Sequence, residues 1–113
     1  ALDCDVSEPS NDQGRGLMRL SPQLEKREIT DELRQLLFDQ RETTDDHLMH
    51  IVGLAKDADG GVWYVVKNSW GPVGPFAGNV MMSRAYVALK TLSIMVHADG
   101  TLPATRAKFR ADR

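Results

Sequence analysis

The sequence predicts an α+β domain, and three patterns carry this prediction. Two apolar, β-branched runs flank a turn cluster near the middle of the chain. A short amphipathic helix is indicated before them, over residues 30–42, and a second after them, over residues 83–90. The composition, with 42% hydrophobic and 27% charged residues among 113, is that of a globular protein with a modest core.

The first quarter of the chain is predicted to hold little regular structure. Residues 1–6 are expected to be extended, and residues 7–28 are expected to form a long surface loop inserted in the domain. The second stretch is polar and contains four residues that interrupt helices and strands: Pro9, Gly14, Gly16 and Pro22.

The helix predicted over residues 30–42 has signals at its start and along one face. Thr30 belongs to the residue types that cap helix N-termini. Asp31 and Glu32 suit the positive end of the helix dipole. Leu36 and Leu37 follow Leu33 by three and four residues, so the three leucines share one face of the helix. We expect this face to pack against the core.

A β-hairpin from about His47 to Asn68 is the strongest structural prediction. Its first strand is the apolar run over residues 47–57, and its second is the β-branched and aromatic run over residues 62–68. The turn between them contains an Asp-Gly dipeptide, which is typical of tight hairpin turns.

The remainder of the chain is predicted to alternate short strands with one helix. A loop rich in Gly and Pro covers residues 71–78, and a short strand is expected over residues 79–82. A helix capped by Ser83 follows, and another strand is expected over residues 91–98. The last stretch, residues 104–113, is predicted to be a solvated basic tail.

Charge and hydropathy argue against several classes of partner. The net charge of −2 gives no general attraction to nucleic acid or to a membrane surface. No apolar run is long enough to span a bilayer. The first stretch, "ALDCDVSEPS", has neither the basic region nor the apolar segment of a signal peptide. A cytoplasmic location is therefore expected.

His47 and Asn68 lie at the outer ends of the predicted hairpin, so strand pairing is expected to bring them together. The amide oxygen of an Asn can accept from one ring N–H of a His and orient the ring. The other ring nitrogen is then available as a base for nucleophilic catalysis. The same two side chains can also form a purely structural hydrogen bond, and these residues alone leave both interpretations open.

The residues around this pair are more specific. "HLMHIVG" (47–53) and "YVVKNSWG" (64–71) together resemble the second half of the papain-like cysteine peptidase signature. In that family the His is the catalytic base, the Asn orients it, and the Trp shields their hydrogen bond from water. The resemblance therefore implies that His47 and Asn68 are catalytic and that Trp70 is the shield.

Further stretches resemble the aminopeptidase C and bleomycin hydrolase branch of that family: "CDVSE", "ETTDDHLMH", "KNSWG" and "KTLSIMVHADGTLP". The fold implied is the β-rich C-terminal half of the papain-like fold, with antiparallel strands and one or two short helices. The activity implied is hydrolysis of peptides from the amino end by a thiol nucleophile. Residues 1–113 would then be a single partial domain that supplies the base and its orienter, with no cofactor or metal.

The nucleophile that the family requires is missing from this sequence. In the family it is a Cys within a Gln…Cys-Trp motif, and Cys4 has neither neighbour. Cys4 is interpreted as a buried apolar residue. We therefore expect the nucleophile in an N-terminal half on which this chain packs, and we expect the chain alone to be inactive. The alternatives are a non-catalytic half-domain that acts as a binding or folding unit, and an unrelated domain with a chance match.

The surface that faces the missing half is expected to be apolar, with Leu48, Met49 and the "PVGPF" loop in it. An isolated half-domain with such a surface is expected to self-associate or to be only marginally stable. His50 and His97 are interpreted as structural. Positions three apart on a strand point to opposite faces, so His47 and His50 are not predicted to share a metal ion.

Overall fold

The strands of this chain form one mixed sheet, in a computed structural model that describes residues 1–111. Within this range the strands are β1 (Leu2–Cys4), β2 (Leu17–Met18), β3 (His47–Lys56), β4 (Val62–Lys67), β5 (Asn79–Ser83) and β6 (Thr91–Ile94). The α-helices are α1 (Pro22–Glu25), α2 (Asp31–Asp39), α3 (Arg84–Lys90) and α4 (Pro103–Ala111). Short 3-10 helices cover Gln13–Arg15 and Ala98–Gly100. The predicted α+β class is confirmed.

The order of strands in the sheet is β2-β5-β4-β3-β1-β6. As predicted, most neighbouring strands pair antiparallel. These pairs are β5 with β4, β4 with β3, β3 with β1, and β1 with β6. Strand β2 instead runs parallel to β5, so the antiparallel prediction is wrong at this edge. A parallel pair needs a long crossover, and here the crossover is the whole chain between residues 18 and 79. Helices α1 and α4 also exceed the one or two short helices expected.

Residues 7–28 are not a surface loop, because part of this stretch packs into the core. Met18 and Leu20 are buried. The backbone N–H of Leu20 donates to Glu25 Oε1 (2.7 Å), and Ser83 Oγ donates to the same oxygen (2.5 Å). The loop prediction failed because the stretch is mostly polar and is interrupted by Gly and Pro, while the apolar residues that enter the core are too few to show a period.

The predicted β3–β4 hairpin is present, and a local network closes its turn. Asp57 Oδ1 accepts from the backbone N–H groups of Asp59 (3.0 Å) and Gly61 (2.7 Å), and Asp57 Oδ2 accepts from Trp63 Nε1 (2.9 Å). The hydrogen bonds from Trp63 and Gly61 hold the pKa of Asp57 below its ordinary value. Gly60 adopts a φ of +84°, a conformation that glycine reaches without a steric cost.

The core lies between the sheet and the helices. Ser83 caps α3 as predicted, because its Oγ accepts from the Tyr86 N–H (3.0 Å). Thr30 caps α2 by accepting from the Leu33 N–H (3.2 Å), but Leu36 of the predicted apolar face is half-exposed. The buried apolar residues form one cluster: Leu2, Cys4, Met18, Leu20, Leu33, Met49, Val66, Met82, Tyr86 and Leu89.

The C-terminal part differs from its prediction in two ways. The last strand ends at Ile94 rather than at residue 98, and α4 forms where the sequence predicts a basic tail. Residues 112–113 of that tail lie outside the described residues. In the part of the chain that the structure describes, no helix has both the length and the hydrophobicity needed to cross a membrane.

Candidate active site

His47 and Asn68 meet at the end of the hairpin opposite its turn. His47 begins β3, and Asn68 directly follows the last residue of β4. The distance from His47 Nε2 to Asn68 Oδ1 is 2.6 Å, and both side chains are half-buried. The contact expected from strand pairing is therefore present, in surroundings where partial exclusion of water strengthens it.

The other hydrogen bond of Asn68 determines which of its atoms faces the histidine. The backbone N–H of Ser69 donates to Asn68 Oδ1 (2.7 Å). Because a backbone N–H can only donate, the atom that it meets is the amide oxygen. This oxygen can only accept, so the proton of a neutral His47 ring lies on Nε2. Nδ1 of His47 then keeps its lone pair and can act as a base.

Trp70 stacks on the ring of His47. The two ring centroids are 5.2 Å apart and the planes are tilted by 30°. This separation is typical of a favourable contact between aromatic rings, and it also allows a protonated imidazole to interact with the indole face. The side chain of Trp70 is 54% exposed, so it forms an outer cover over the pair rather than a part of the core.

The loop over residues 71–78 folds back on itself and anchors the backbone of Asn68. The N–H of Gly78 donates to the carbonyl of Val73 (2.8 Å), and the N–H of Asn68 donates to the carbonyl of Gly78 (3.1 Å). Gly78 has a φ of +88°, and a Cβ at this position would collide with the carbonyl oxygen of Gly71. A glycine is therefore needed for the loop to close.

A cavity of about 220 Å³ opens beside Asn68 and Trp70. Its wall is largely apolar: Val6, Leu17, Met18, Val73, Pro75 and Val80. The cavity is large enough for a small apolar group. No pattern in the sequence predicts this cavity, because part of its wall comes from the stretch over residues 7–28, which the composition predicts to be a surface loop.

Cys4 is not placed to act as a nucleophile. It is 1% exposed and belongs to the core, as predicted. Burial, together with the negative charges of Asp3 and Asp5, raises the pKa of its thiol to about 12. A thiol with this pKa keeps its proton at neutral pH, and the thiolate is the nucleophilic form.

The other two histidines are not part of the hydrogen bond between His47 and Asn68. His50 is exposed and pairs across the hairpin with Lys67. His97 is also exposed, and its Nδ1 accepts from the N–H of Asp99 (3.3 Å). Among the described residues, no group of three or more His, Cys, Asp or Glu side chains is arranged to hold a metal ion.

A buried cluster of charged side chains lies close to the site. It was not predicted from the sequence. Lys90 Nζ is 3.4 Å from Asp5 Oδ2 and 2.5 Å from Glu8 Oε1, and it donates to the carbonyl of Glu42 (2.7 Å). Both Lys90 and Asp5 are 1% exposed. No local pattern could have revealed the pair, since its members are 85 residues apart.

Three of the apolar side chains that were expected to face the missing half are exposed. Leu48 is 69% exposed and Val73 is 56% exposed, and Phe76 in the same loop is also exposed. Met49 was expected on this surface and is instead buried in the core. The reason is the alternation of a strand, which turns adjacent side chains to opposite faces.

The arrangement thus offers an oriented imidazole with one nitrogen available as a base, an amide that fixes its tautomer, and an indole cover. The chain's single cysteine, Cys4, lies opposite His47 in the β1–β3 ladder, but it is buried in the core and its raised pKa keeps it protonated. No family model matches the chain, and a search of curated proteins gives no match either.

Proposed function

We propose that this chain is the C-terminal part of a papain-like cysteine aminopeptidase, of the aminopeptidase C and bleomycin hydrolase type. The observation that carries the proposal is the 2.6 Å hydrogen bond between His47 Nε2 and Asn68 Oδ1, covered by Trp70. The sequence around the three residues supports it, because it resembles the motif that holds the same three side-chain types in that family.

The oriented imidazole would act twice in the reaction. His47 Nδ1 takes the proton of a cysteine thiol in the partner half, which gives a thiolate–imidazolium pair. The thiolate attacks the peptide carbonyl, and the imidazolium then donates its proton to the leaving amine. Asn68 serves both steps, because its oxygen accepts from the Nε2–H of His47 whether or not Nδ1 is protonated.

The nucleophile belongs, in this proposal, to an N-terminal half that packs on the exposed apolar side chains of Leu48, Val73 and Phe76. The chain without that half would self-associate through the same surface. The substrates are peptides, shortened from the amino end. The proposed location is the cytoplasm, where reducing conditions keep a thiol nucleophile free.

A non-catalytic half-domain is the second candidate, and the cavity beside Asn68 favours it. A mostly apolar space of about 220 Å³ can hold a small apolar group without any thiol chemistry. In that case the hydrogen bond between His47 and Asn68 would only stabilise the end of the hairpin.

The test is to express residues 1–113 together with the polypeptide encoded immediately upstream of Ala1, and to assay hydrolysis of a fluorogenic aminoacyl amide. The proposal predicts a Gln…Cys-Trp segment in that polypeptide and turnover that iodoacetamide abolishes. His47→Ala should lower kcat by roughly 10²- to 10⁴-fold, the usual contribution of a general base. Asn68→Ala should lower it less, since the base is kept and only its orientation is lost.

His50→Ala is the matched control, because it removes an exposed imidazole three residues along the same strand. It should keep wild-type turnover. Activity that survives His47→Ala, or that resists the thiol reagent, would overturn the proposal. An upstream polypeptide with no cysteine nucleophile would favour the binding half-domain. The chain alone should give no turnover, because its single cysteine, Cys4, is buried and protonated.

A further inference from the structure

An aromatic side chain of the loop over residues 71–78 lies against the turn that precedes β2. Gly16 ends this turn, and a Cβ at Gly16 would lie 2.8 Å from Cδ2 of Phe76 and 3.3 Å from Cγ of Pro75. The first of these distances is shorter than real Cβ atoms tolerate, so the Phe76 ring fits here because residue 16 is a glycine. Gly16, Pro75 and Phe76 are called the loop latch.

The Gly16 side of the loop latch is fixed to the sheet. The carbonyl of Gly16 accepts from the N–H of Met81 in β5 (2.8 Å), and its N–H donates to the carbonyl of Gln13 (3.1 Å). Strand β2 begins at the next residue and pairs with β5, with Leu17 opposite Met81. The surface on which Phe76 rests is therefore part of the folded sheet, whereas Phe76 itself belongs to the loop.

The loop latch is joined to the candidate active site through the backbone of the loop. Two residues after Phe76, the carbonyl of Gly78 accepts from the N–H of Asn68 (3.1 Å). At its other end the loop continues directly from Trp70, whose half-exposed indole lies on the His47 ring. A shift of the loop therefore moves the backbone of both Asn68 and Trp70.

The Phe76 ring is the best-covered large apolar side chain in this part of the chain. It is 37% exposed, whereas Trp70 and Val73 are 54% and 56% exposed. Apolar burial stabilises in proportion to the area removed from water, and a phenyl ring is larger than the side chain of Val73. Phe76 therefore contributes more than Val73 to holding the loop on the domain.

We propose that Phe76 is a positioning residue that acts through Trp70. Its ring rests on Gly16 and holds the loop in place. The indole of Trp70 then stays over the hydrogen bond between His47 and Asn68, where water would otherwise compete with that bond. The effect on a reaction rests on the proposed function of His47 as a base. The dependence of Trp70 on Phe76 is testable in the chain alone.

The first experiment records the imidazole C–H proton signals of His47 by NMR, because an aromatic ring shifts the signals of protons held near its face. Trp70→Ala gives the positions of these signals without the indole. Phe76→Ala should move them most of the way from wild type to that reference. Phe76→Tyr, which keeps the ring edge that meets Gly16, should return them to their wild-type positions.

Gly16→Ala and Gly14→Ala form a matched pair on the other side of the loop latch. A Cβ at Gly16 displaces the Phe76 ring, whereas the nearest atom to a Cβ at Gly14 is Asp12 Oδ1 at 3.6 Å, an ordinary contact. Gly16→Ala should shift the His47 signals in the same direction as Phe76→Ala, and Gly14→Ala should leave them unchanged. Gly16→Ala also imposes a φ of +65° on a residue with a side chain. Phe76→Ala decides the outcome if that variant does not fold.

Two results would overturn the inference. His47 signals that keep their wild-type positions in Phe76→Ala would mean that the indole stays in place without the ring. A shift in Gly14→Ala as large as that in Gly16→Ala would mean that any change in the turn moves the indole, so that the contact with Phe76 is not its cause.

The second experiment measures turnover in the enzyme assembled with its upstream half. Phe76→Ala should lower kcat by about 10²-fold with KM unchanged, the usual effect of a displacement of about 1 Å near reacting groups. Phe76→Tyr should stay close to wild type. The exposed part of Phe76 also belongs to the surface on which the upstream half is proposed to pack, so Val73→Ala, in the same loop and surface, measures the loss from weaker packing alone.

An equal loss of kcat in Phe76→Ala and Val73→Ala would contradict the positioning role, because weaker packing would then explain both. If the NMR signals respond as expected and the wild-type assembly shows no turnover, the proposed function fails and the control of Trp70 by Phe76 stands.

Discussion

The two ends of the β3–β4 hairpin are both held by carboxylates, but with donors at very different distances along the chain. At the turn end, the donors to Asp57 are 2, 4 and 6 residues away. At the site end, the donors from Thr44 and Val6 to Asp5 and Asp46 are 39 and 40 residues away. The turn is therefore specified by its own residues, whereas the backbone that precedes His47 is held by residues far away in the chain.

Burial separates the two ends as well. Asp57 is exposed, whereas Asp5 and its partner Lys90 are 1% exposed. Burial pushes the pKa of Asp5 upward, but hydrogen bonds from Ser7 and Thr44 outweigh it and hold the pKa below its ordinary value. Because water cannot replace lost partners in the interior, a change at the site end should have a larger effect than the same change at the turn.

The largest effect is expected from Lys90→Ala, which leaves Asp5 buried without its cation. Removing one partner of a buried ion pair typically costs about 3–5 kcal/mol in the free energy of unfolding. Urea denaturation followed by circular dichroism measures the loss. Lys56→Ala, which removes an exposed Lys from the same sheet, is the control and should change stability by less than about 0.5 kcal/mol. A loss for Lys90→Ala as small as that of the control would contradict the comparison.

An increase in stability of intermediate size is expected from Asp3→Asn. Asp3 lies in β1, at the site end. Burial and the negative charge of Asp45 raise the pKa of Asp3 above its ordinary value of 3.8, while a hydrogen bond from Ser93 opposes the shift. The folded state therefore disfavours the charged form, so stability falls as pH rises from 3.8 through the raised value. Asn removes this penalty, and the melting temperature should rise at neutral pH.

The pH dependence of that gain is the decisive measurement. Below pH 3.8 the carboxyl is protonated in both states, so Asp3→Asn should give no gain there. Thermal melts of wild type and variant on both sides of this value measure the difference. Asp59→Asn, at the exposed turn, is the control. Its melting temperature should equal that of wild type at both pH values. A gain of equal size at acidic and neutral pH would mean that the charge of Asp3 is not its source.

The smallest effect is expected from Asp57→Ala at the turn. Water can replace the lost acceptor for the exposed donors, so the free energy of unfolding should fall by less than in Lys90→Ala. Because the folded state lowers the pKa of Asp57, its contribution is present above pH 3.8 and is lost as pH falls below it. The stabilities of wild type and variant should therefore become equal at acidic pH. A fall as large as that of Lys90→Ala would remove the distinction between the two ends.

The features that the sequence predicted are those fixed by nearby residues or by strand pairing. The Asp-Gly turn, the caps Thr30 and Ser83, and the contact of His47 with Asn68 all belong to this class. Each depends on a residue type at a short spacing, or on two strands joined by a tight turn. The catalytic role of the pair stays a prediction, because it depends on a nucleophile elsewhere.

The features that the sequence did not predict depend on residues far apart in the chain. Strand β2 has two residues, too few for a hydrophobic period, and it pairs with residues 81 and 82. Lys90 ends a helix, a position where a Lys is usually exposed, and its burial is possible only because Asp5 and Glu8 reach it from the other end of the chain. No local spacing encodes such pairs.

Each end of the hairpin also carries an indole, and these are the chain's two tryptophans. Trp63 is hydrogen-bonded to Asp57 at the turn, and Trp70 lies on the ring of His47. An imidazolium quenches the emission of an indole that it touches, so the fluorescence of Trp70 should follow the charge of His47. Trp63→Phe would leave an optical reporter of the proposed base, and Trp70→Phe would leave one of the turn. The hairpin thus contains an intrinsic probe for each of its ends.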